Sequence, residues 1–174
     1  MNNSTRNITI VGLLVAMSIV LSRVASIRIA IGGVEGIRIG FGKLPIFLGS
    51  FMLGPLYGGL IGAISDFLGY IIQPIGPYMP YFTIISALCG VIPIMVFRIL
   101  KGNERHIINI IIPVGIAVAI TELFLIPLGL HQIFAIPWQV LIIPRLISAP
   151  LTIIIYSYLI HAFIRRKVLQ ISHH

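Results

Sequence analysis

Three ionisable residues, Asp66, Glu122 and Arg145, stand inside long apolar stretches of this sequence. Such stretches are typical of membrane spans, where a charged side chain is costly unless it faces a bundle interior or a water-filled cavity. In one interpretation, Arg145 pairs with Asp66 or Glu122 and braces the protein internally. In the other, these residues form a ligand site with one end that binds anions and one end that accepts hydrogen bonds. The two interpretations are compatible, because each can describe a different liganded state.

Aromatic, proline and polar residues gather in two further stretches, 70–81 and 131–138. Their members are Tyr70, Gln73, Tyr78 and Tyr81 in the first, and His131, Phe134 and Trp138 in the second. An aromatic belt at the membrane surface would explain them. A planar aromatic ligand stacked near the outer mouth of the protein would explain them as well. His131 is expected to hydrogen-bond rather than to bind metal, because no second His or Cys lies at ligand spacing.

Sequence motifs of catalysis are lacking. The chain has no Gly-x-Ser-x-Gly, no His-Glu-x-x-His and no Gly-Lys-Ser/Thr phosphate loop, which excludes an ATPase encoded in this chain and gives a hydrolase little support. Cys89 is the single cysteine and lies in an apolar run, so it cannot form an intramolecular disulfide. We therefore predict a binding protein without catalytic residues, covalent cofactor or metal.

The composition places these residues in a membrane. Of 174 residues, 58% are hydrophobic and only 9% are charged, against roughly 25% in soluble domains, and the mean hydropathy is +1.09. A soluble fold of this length cannot bury so much apolar surface. Since a span needs about 20 residues, the chain has room for about six. The net charge of +8 would suggest nucleic-acid binding in a soluble protein, but in a membrane protein the basic residues must first be assigned to the two membrane sides. We do not expect nucleic-acid binding.

The predicted fold is an all-α bundle of six transmembrane helices in a single domain, residues 1–174. Breaking the apolar runs at charges and Gly/Pro clusters predicts helices at about 6–25, 43–54, 56–73, 80–101, 106–130 and 138–165. The first is kept as a span rather than a signal peptide, because no small-x-small cleavage pattern follows it. Gly54-Pro55 separates helices 2 and 3. The Gly-rich outer loop 26–42 between helices 1 and 2 could form a β-hairpin or an irregular lid.

Basic residues divide unequally between the two faces of this bundle. The face of the two termini has Arg6, Arg98, Lys101, Arg105, Arg165, Arg166 and Lys167. The other face has Arg23, Arg28, Arg38 and Lys43, with Arg145 inside the sixth helix. The positive-inside rule places the first set, and both termini, in the cytoplasm. The second set is unusual for an outer face, and an anionic ligand arriving from outside is its simplest explanation.

Gly12 and Ala16 are four residues apart on helix 1, which puts two small side chains on one helix face. Such a face permits close helix approach, and dimerisation, internal packing and docking to a partner subunit are equally compatible with it.

The sequence also resembles a known family. The segment 37–70, IRIGFGKLPIFLGSFMLGPLYGGLIGAISDFLGY, with Gly12-x-x-x-Ala16, Gln73-Pro74, Pro144-Arg145 and Pro150, is similar to the substrate-binding S components of energy-coupling factor (ECF) vitamin transporters, and within them to the folate-specific members. The resemblance covers essentially the whole chain. It implies a multi-pass protein of the bacterial plasma membrane that captures a vitamin at the outer face, gated by the loops between helices 1 and 2 and between helices 3 and 4.

Partners also follow from this resemblance. Family members work with a transmembrane coupling subunit, the T component, and with two cytoplasmic ATPases, so ATP is used only by the partners. The face of small residues on helix 1 is the family's docking face for the coupling subunit, which transfers to Gly12 and Ala16. The family usually has Ala at both positions, and Gly12 should still allow close approach because it is smaller.

Folate, as the transported ligand, suits the residues singled out above, since it combines a pterin, a benzoyl ring and a glutamate tail with two carboxylates. For ring contacts we expect Tyr70, Tyr81, Phe134 and Trp138. For polar groups of the pterin or amide we expect Asp66, Gln73, Glu122 and His131. For the carboxylates we expect Arg28, Arg38, Lys43 and Arg145. The alternatives are an S component for another vitamin and, in a different class, a small intramembrane enzyme or channel that uses Asp66, Glu122 and His131 for proton transfer.

Overall fold

The computed structural model describes residues 3–24, 26–31, 34–74, 77–102 and 106–165. Its helices and strands follow in chain order. They are α1 (Asn3–Val24), β1 (Ser26–Ile31), β2 (Val34–Gly40), α2 (Leu44–Leu53), α3 (Pro55–Ile72), α4 (Pro80–Ile99), α5 (Ile108–Val118), α6 (Ile126–Phe134) and α7 (Trp138–Arg165). A 3-10 turn, Phe41–Lys43, leads into α2, and a π-helical segment, Ala119–Leu125, joins α5 to α6. Within these described residues the fold is helical apart from one two-stranded ribbon.

The ribbon occupies the loop for which the sequence left two alternatives. The backbone of β1 and β2 pairs antiparallel, with Ser26 opposite Gly40 and a register shift after Ile29. Of the two alternatives, the backbone adopts the β-hairpin.

Helices α2 and α3 are separated by a single residue. Gly54 has φ +95°, a left-handed backbone conformation that favours glycine, and Pro55 begins α3 at a position where its missing N–H is not needed. The chain therefore breaks where the Gly54-Pro55 pair predicts. The break leaves α2 with 10 residues, which is short for a membrane span.

The fifth predicted helix, 106–130, differs most from the structure. Helical backbone runs from Ile108 through the π-helical segment to Phe134, so His131 and Phe134 lie on α6 and not in the connection where we expected them. Pro127 lacks the N–H that an α-helix needs, and the change to wider π-helical hydrogen bonding directly precedes it. The helix ends where Ala135 takes a left-handed conformation with φ +52°.

The helices pack through small residues at one contact and large ones at another. At Gly62 and at Gly90 a Cβ atom would collide with the backbone of the facing helix, so glycine lets α3 and α4 approach closely. A second contact joins Phe47 of α2 to Tyr156 of α7, whose ring centroids are 5.6 Å apart in an edge-to-face arrangement. Both rings are buried, in a core shared with Ile110 of α5.

Within the described residues, five helices are long and apolar enough to cross a membrane: Thr5–Val24, Pro55–Ile72, Pro80–Ile99, Ile108–Phe134 and Trp138–Ile164. The segment Phe41–Leu53 is a shorter apolar helix. Large apolar side chains such as Leu56, Ile84 and Ile99 are exposed on the outside of the bundle, as a lipid-facing surface requires.

The small-residue face of α1 is exposed. Gly12 and Ala16 lie on the outside, and no other described part of the chain comes within 4 Å of the position a Cβ would take at Gly12. Leu14 and Val15 are buried on the opposite face. Within the described residues this face has no helix packed on it, and the use of Gly12 and Ala16 in dimerisation or docking stays a prediction.

Candidate functional site

A cavity of about 590 Å³ is lined by residues of α1, the end of β2, the 3-10 turn, α2, α3, α4, the π-helical segment, α6 and α7. Lys43, Asp66, Glu122 and Arg145 all line it. The three charged residues of the apolar stretches are thus brought together at one site, with a lysine from the outer basic set. The volume lies within the usual range of small-molecule sites.

Lys43 and Glu122 form an ion pair in the cavity wall. Lys43 Nζ donates to Glu122 Oε1 across 2.5 Å, and 26% and 28% of the two side chains are exposed. The 3-10 turn that carries Lys43 is held by two buried hydroxyls, since Ser18 donates to the Gly42 carbonyl across 2.6 Å and Tyr156 donates to the Gly40 carbonyl. The ion pair therefore sits between two positioned elements, the turn and the π-helical segment.

Arg145 lies in the second turn of α7, on the cavity wall. Its Nη1 donates to the Leu141 carbonyl across 3.0 Å, which ties the guanidinium back along its own helix. Arginine offers five N–H donors, so this bond engages one of them. A planar guanidinium held in this way is suited to bind a carboxylate.

Asp66 lies on α3, and its Oδ2 accepts a hydrogen bond of 2.7 Å from the Thr83 hydroxyl of α4. The cavity wall therefore contains two carboxylates and two cations, with one carboxylate paired to Lys43. This is the combination expected for a ligand that has hydrogen-bond donors and a negatively charged group.

The rest of the cavity wall consists of apolar side chains and serine hydroxyls, and it was not predicted from the sequence. The aliphatic and aromatic members are Ile46, Phe82, Ile85, Ile126, Leu130, Ile136, Val140 and Leu141. The hydroxyl members are Ser18, Ser22, Ser65, Ser86 and Ser148. Serines within apolar helices were a signal that could have pointed to this wall, whereas the aliphatic residues are indistinguishable in sequence from those that face lipid.

Two of the predicted tyrosines contact protein groups outside the cavity lining. The Tyr81 hydroxyl donates to the Leu125 carbonyl across 2.7 Å, and its ring lies where a side chain at Gly129 would have to be. Tyr70 packs against Tyr78, with ring centroids 5.1 Å apart. Tyr81 thus stabilises the end of the π-helical segment through its hydrogen bond to Leu125.

His131, Phe134 and Trp138 also lie outside the cavity lining. The His131 ring is 5.3 Å from that of Trp138, and its Nδ1 is 2.8 Å from the Ile136 carbonyl oxygen. Phe134 is 49% exposed at the end of α6. These residues join the end of α6 to the start of α7, next to the cavity residues Ile136 and Val140.

The outer basic residues divide into two groups. Arg23 at the end of α1 donates to the Gln73 side chain and to the Gly69 carbonyl, the latter across 2.5 Å, so it joins the ends of α1 and α3. Arg28 and Arg38 are Cα partners across the β-hairpin, and their side chains lie outside the described part of the structure. The roles predicted for them stay predictions.

The described ranges contain no group of three or more His, Cys, Asp or Glu side chains that could hold a metal ion. Cys89 is buried there as a free thiol in the core. The site that the charged and apolar residues build is the cavity between the helices.

Comparison with known proteins gives the class of this bundle. A family model described as "ECF-type riboflavin transporter, S component" matches residues 2–165, and the chain belongs to this family of bacterial membrane transporter subunits. It is 32% identical over 148 residues to the folate transporter FolT of Clostridium novyi (strain NT), an alignment that covers 85% of this chain and 81% of the relative.

Two solved structures share the fold. A crystal structure of FolT bound with folic acid superposes with a TM-score of 0.73 at 22% identity, covering 97% of this chain and 96% of that one. The S component of a bacterial ECF transporter gives a TM-score of 0.67 at 19% identity, covering 98% and 100%.

Proposed function

We propose that this chain binds folate in the cavity and is the folate-specific S component of an ECF uptake transporter. One observation carries the specificity: Lys43, Asp66, Glu122 and Arg145 converge on one cavity in a chain that is 32% identical to a folate transporter. We place the pterin donors at Asp66, because a carboxylate accepts N–H groups. We place the glutamate tail at Arg145, the cation of the wall that can bind a carboxylate in two-pronged fashion.

The remaining predicted contacts are also part of this proposal, and their positions relative to the cavity indicate how strongly each should affect affinity. Arg28 and Arg38 of the β-hairpin are proposed to reach the tail carboxylates when the hairpin lies over the ligand. Six of the predicted contacts lie outside the cavity lining and would contact ligand only after the surrounding loops move. They are Tyr70, Gln73, Tyr81, His131, Phe134 and Trp138. We therefore expect substitutions of the four charged lining residues to change affinity more than substitutions of these six.

Riboflavin is the second candidate, because the family model that matches the chain is described by that vitamin. Riboflavin has no carboxylate, so it would leave Arg145 without a charged ligand partner, which disfavours it. A cationic vitamin such as thiamine would be repelled by the outer basic residues.

Topology and partners complete the proposal. We propose six spans in a single domain, with the short helix Phe41–Leu53 as the second and both termini in the cytoplasm by the positive-inside rule. The chain is proposed to act without catalysis of its own, together with a T component and two ATPases that hydrolyse ATP. Gly12 and Ala16 are proposed as the docking face, supported by their exposure on α1.

Titration of the detergent-solubilised protein with folic acid, riboflavin, thiamine and biotin tests the ligand. We expect binding of folic acid in the nanomolar to micromolar range and at least hundredfold weaker binding of the others. Riboflavin binding at the same or higher affinity would refute the folate assignment and favour the second candidate. Mass spectrometry of any copurifying small molecule gives an independent answer.

Uptake into cells tests the partners. We expect folate uptake only when the coupling subunit and ATPases are co-expressed, and Ala16→Trp should abolish uptake while leaving folate affinity unchanged. Exposed Leu13, which neighbours this face, provides the control Leu13→Ala. Ion flux or substrate turnover by the isolated chain in liposomes would instead support the channel or enzyme alternative.

A further inference from the structure

A short chain of hydroxyl groups ends on the carboxylate of the cavity. Thr83 Oγ1 donates to Asp66 Oδ2 across 2.7 Å, and the Tyr78 hydroxyl lies 2.8 Å from the same Thr83 oxygen. Thr83 is in the first turn of α4 and Tyr78 precedes that helix, whereas Asp66 lines the cavity from α3. The chain of hydrogen bonds therefore runs from the α3–α4 connection to the cavity wall.

The direction of these hydrogen bonds follows from the number of protons. A threonine hydroxyl has one O–H to donate, and an ionised carboxylate can only accept. Since Thr83 donates its proton to Asp66, the Thr83 oxygen must accept from Tyr78. Thr83 thereby engages one acceptor site of the Asp66 carboxylate, and the other sites of the carboxylate can accept from a ligand.

Tyr78 is itself held in place by two rings of α3. Its ring centroid is 5.6 Å from that of Phe67 in an edge-to-face arrangement and 5.1 Å from that of Tyr70 in a tilted one. Such contacts add to the burial of each ring and restrict its orientation. These ring contacts therefore favour the orientation in which the Tyr78 hydroxyl meets Thr83.

We propose that Thr83 and Tyr78 are positioning residues that orient the Asp66 carboxylate for the N–H donors of the ligand's heteroaromatic ring. Neither residue is part of the cavity lining described above, so both act through Asp66 and not by contact. A carboxylate held by a charge-assisted hydrogen bond loses less side-chain freedom when a ligand binds. This inference rests on the proposed folate function and adds to it two residues outside the cavity that determine affinity.

The test compares folic acid with p-aminobenzoyl-glutamate, which lacks the pterin, by calorimetry or competition on the detergent-solubilised full chain. Thr83→Val keeps the shape of the side chain but removes the hydroxyl, and we expect about tenfold weaker binding of folic acid with unchanged binding of p-aminobenzoyl-glutamate. Thr83→Ser should restore wild-type affinity because it keeps the donor. Tyr78→Phe should weaken folic acid binding about threefold.

Two further variants separate positioning from general damage. In an Asp66→Ala background, which has no side-chain acceptor, Thr83→Val should cause no additional loss, because its effect passes through the carboxylate. Thr9→Val provides a matched control, since the Thr9 hydroxyl donates to the Thr5 carbonyl of its own exposed helix, and should leave both affinities unchanged.

The positioning role would be overturned by equal weakening of both ligands in Thr83→Val, by wild-type affinity for both, or by an additive loss when Thr83→Val is combined with Asp66→Ala. Should Thr83→Val fail to fold, Tyr78→Phe decides by the same comparison, because it retains the ring contacts. Failure of the unaltered chain to bind folic acid would overturn the proposed function instead, so the two failures are distinguishable.

Discussion

Replacing Arg145 with alanine removes the cation that we place against the glutamate tail of folate. Arg145 lines the cavity and is held by its bond to the Leu141 carbonyl, 3.0 Å away, so little reorganisation is needed for it to bind a carboxylate. Lys43 is a poor substitute, because it already pairs with Glu122 at 2.5 Å. The loss should therefore not be compensated from within the cavity.

The magnitude follows from the surroundings of this side chain. Truncating one partner of a buried, hydrogen-bonded charge pair costs about 2–5 kcal/mol. Arg145 is only partly buried, which places the effect in the lower part of that range. We expect a loss of about 2–3 kcal/mol, or roughly 30- to 150-fold in Kd for folic acid. Arg145→Lys should lose less affinity for folic acid than Arg145→Ala, because it retains the charge. Some affinity should still be lost, because lysine lacks the planar pair of donors.

The assay can use the single tryptophan of the chain. Trp138 begins α7 and lies two turns before Arg145, so its fluorescence should respond to ligand in the cavity. Titrations compare folic acid with pteroic acid, which has the pterin and benzoyl rings but no glutamate. Arg145→Ala should leave pteroic acid affinity unchanged, and Arg98→Ala, at the exposed end of α4, should change neither. An equal loss for both ligands, or none for either, would refute a contact between Arg145 and the tail.

Three further predictions concern stability, measured as thermal unfolding in detergent. Glu122→Gln leaves Lys43 without its ion-pair partner and should lower the free energy of unfolding by about 1–3 kcal/mol, less than for a fully buried pair since a quarter of each side chain is exposed. Gly62→Ala forces a methyl group onto the backbone of α4 and should cost about 1–3 kcal/mol. Tyr81→Phe removes a hydrogen bond to the end of the π-helical segment and should cost about 1 kcal/mol.

Matched variants control these measurements. Gly12→Ala adds the same methyl group where no other described part of the chain lies within 4 Å, and it should leave the unfolding temperature unchanged or slightly higher, because alanine favours a helix over glycine. The double variant Lys43→Met with Glu122→Gln removes both charges and should recover part of the loss seen with Glu122→Gln alone. Equal destabilisation by Gly12→Ala and Gly62→Ala would contradict close packing of α3 on α4. No recovery in the double variant would contradict an ion pair as the cause.

The break between α2 and α3 and the membrane class could both be predicted from sequence. Hydropathy and scarcity of charge are properties of local composition, and Gly54-Pro55 restricts the backbone wherever it occurs. The same reasoning predicted one site for Asp66, Glu122 and Arg145, because charged side chains in apolar helices must face the bundle interior or a water-filled cavity. The end of the fifth helix was predicted four residues early, since the π-helical segment before Pro127 keeps the chain helical.

The partners of the polar side chains could not be predicted in this way. Lys43 and Glu122 are 79 residues apart, and only the packing of the 3-10 turn against the π-helical segment joins them. The type and depth of Tyr81 suggested a contact with a ligand ring, which stays a prediction, but they did not show that its hydroxyl donates to the Leu125 carbonyl. Residue type states which hydrogen bonds a side chain can make, whereas the relative rotation of the helices decides which it does make.

The amino-acid sequence by itself determined that this chain is a membrane protein. It also determined the positions at which the helices break and the few charged side chains that need a protein interior, because these properties follow from the transfer free energies of short segments. Only the tertiary structure decided that Lys43 pairs with Glu122, that Thr83 holds Asp66 and that aliphatic residues of four helices form the rest of the cavity wall. Aliphatic side chains have similar transfer free energies against lipid and against a ligand cavity, so their roles are distinguished by packing geometry alone.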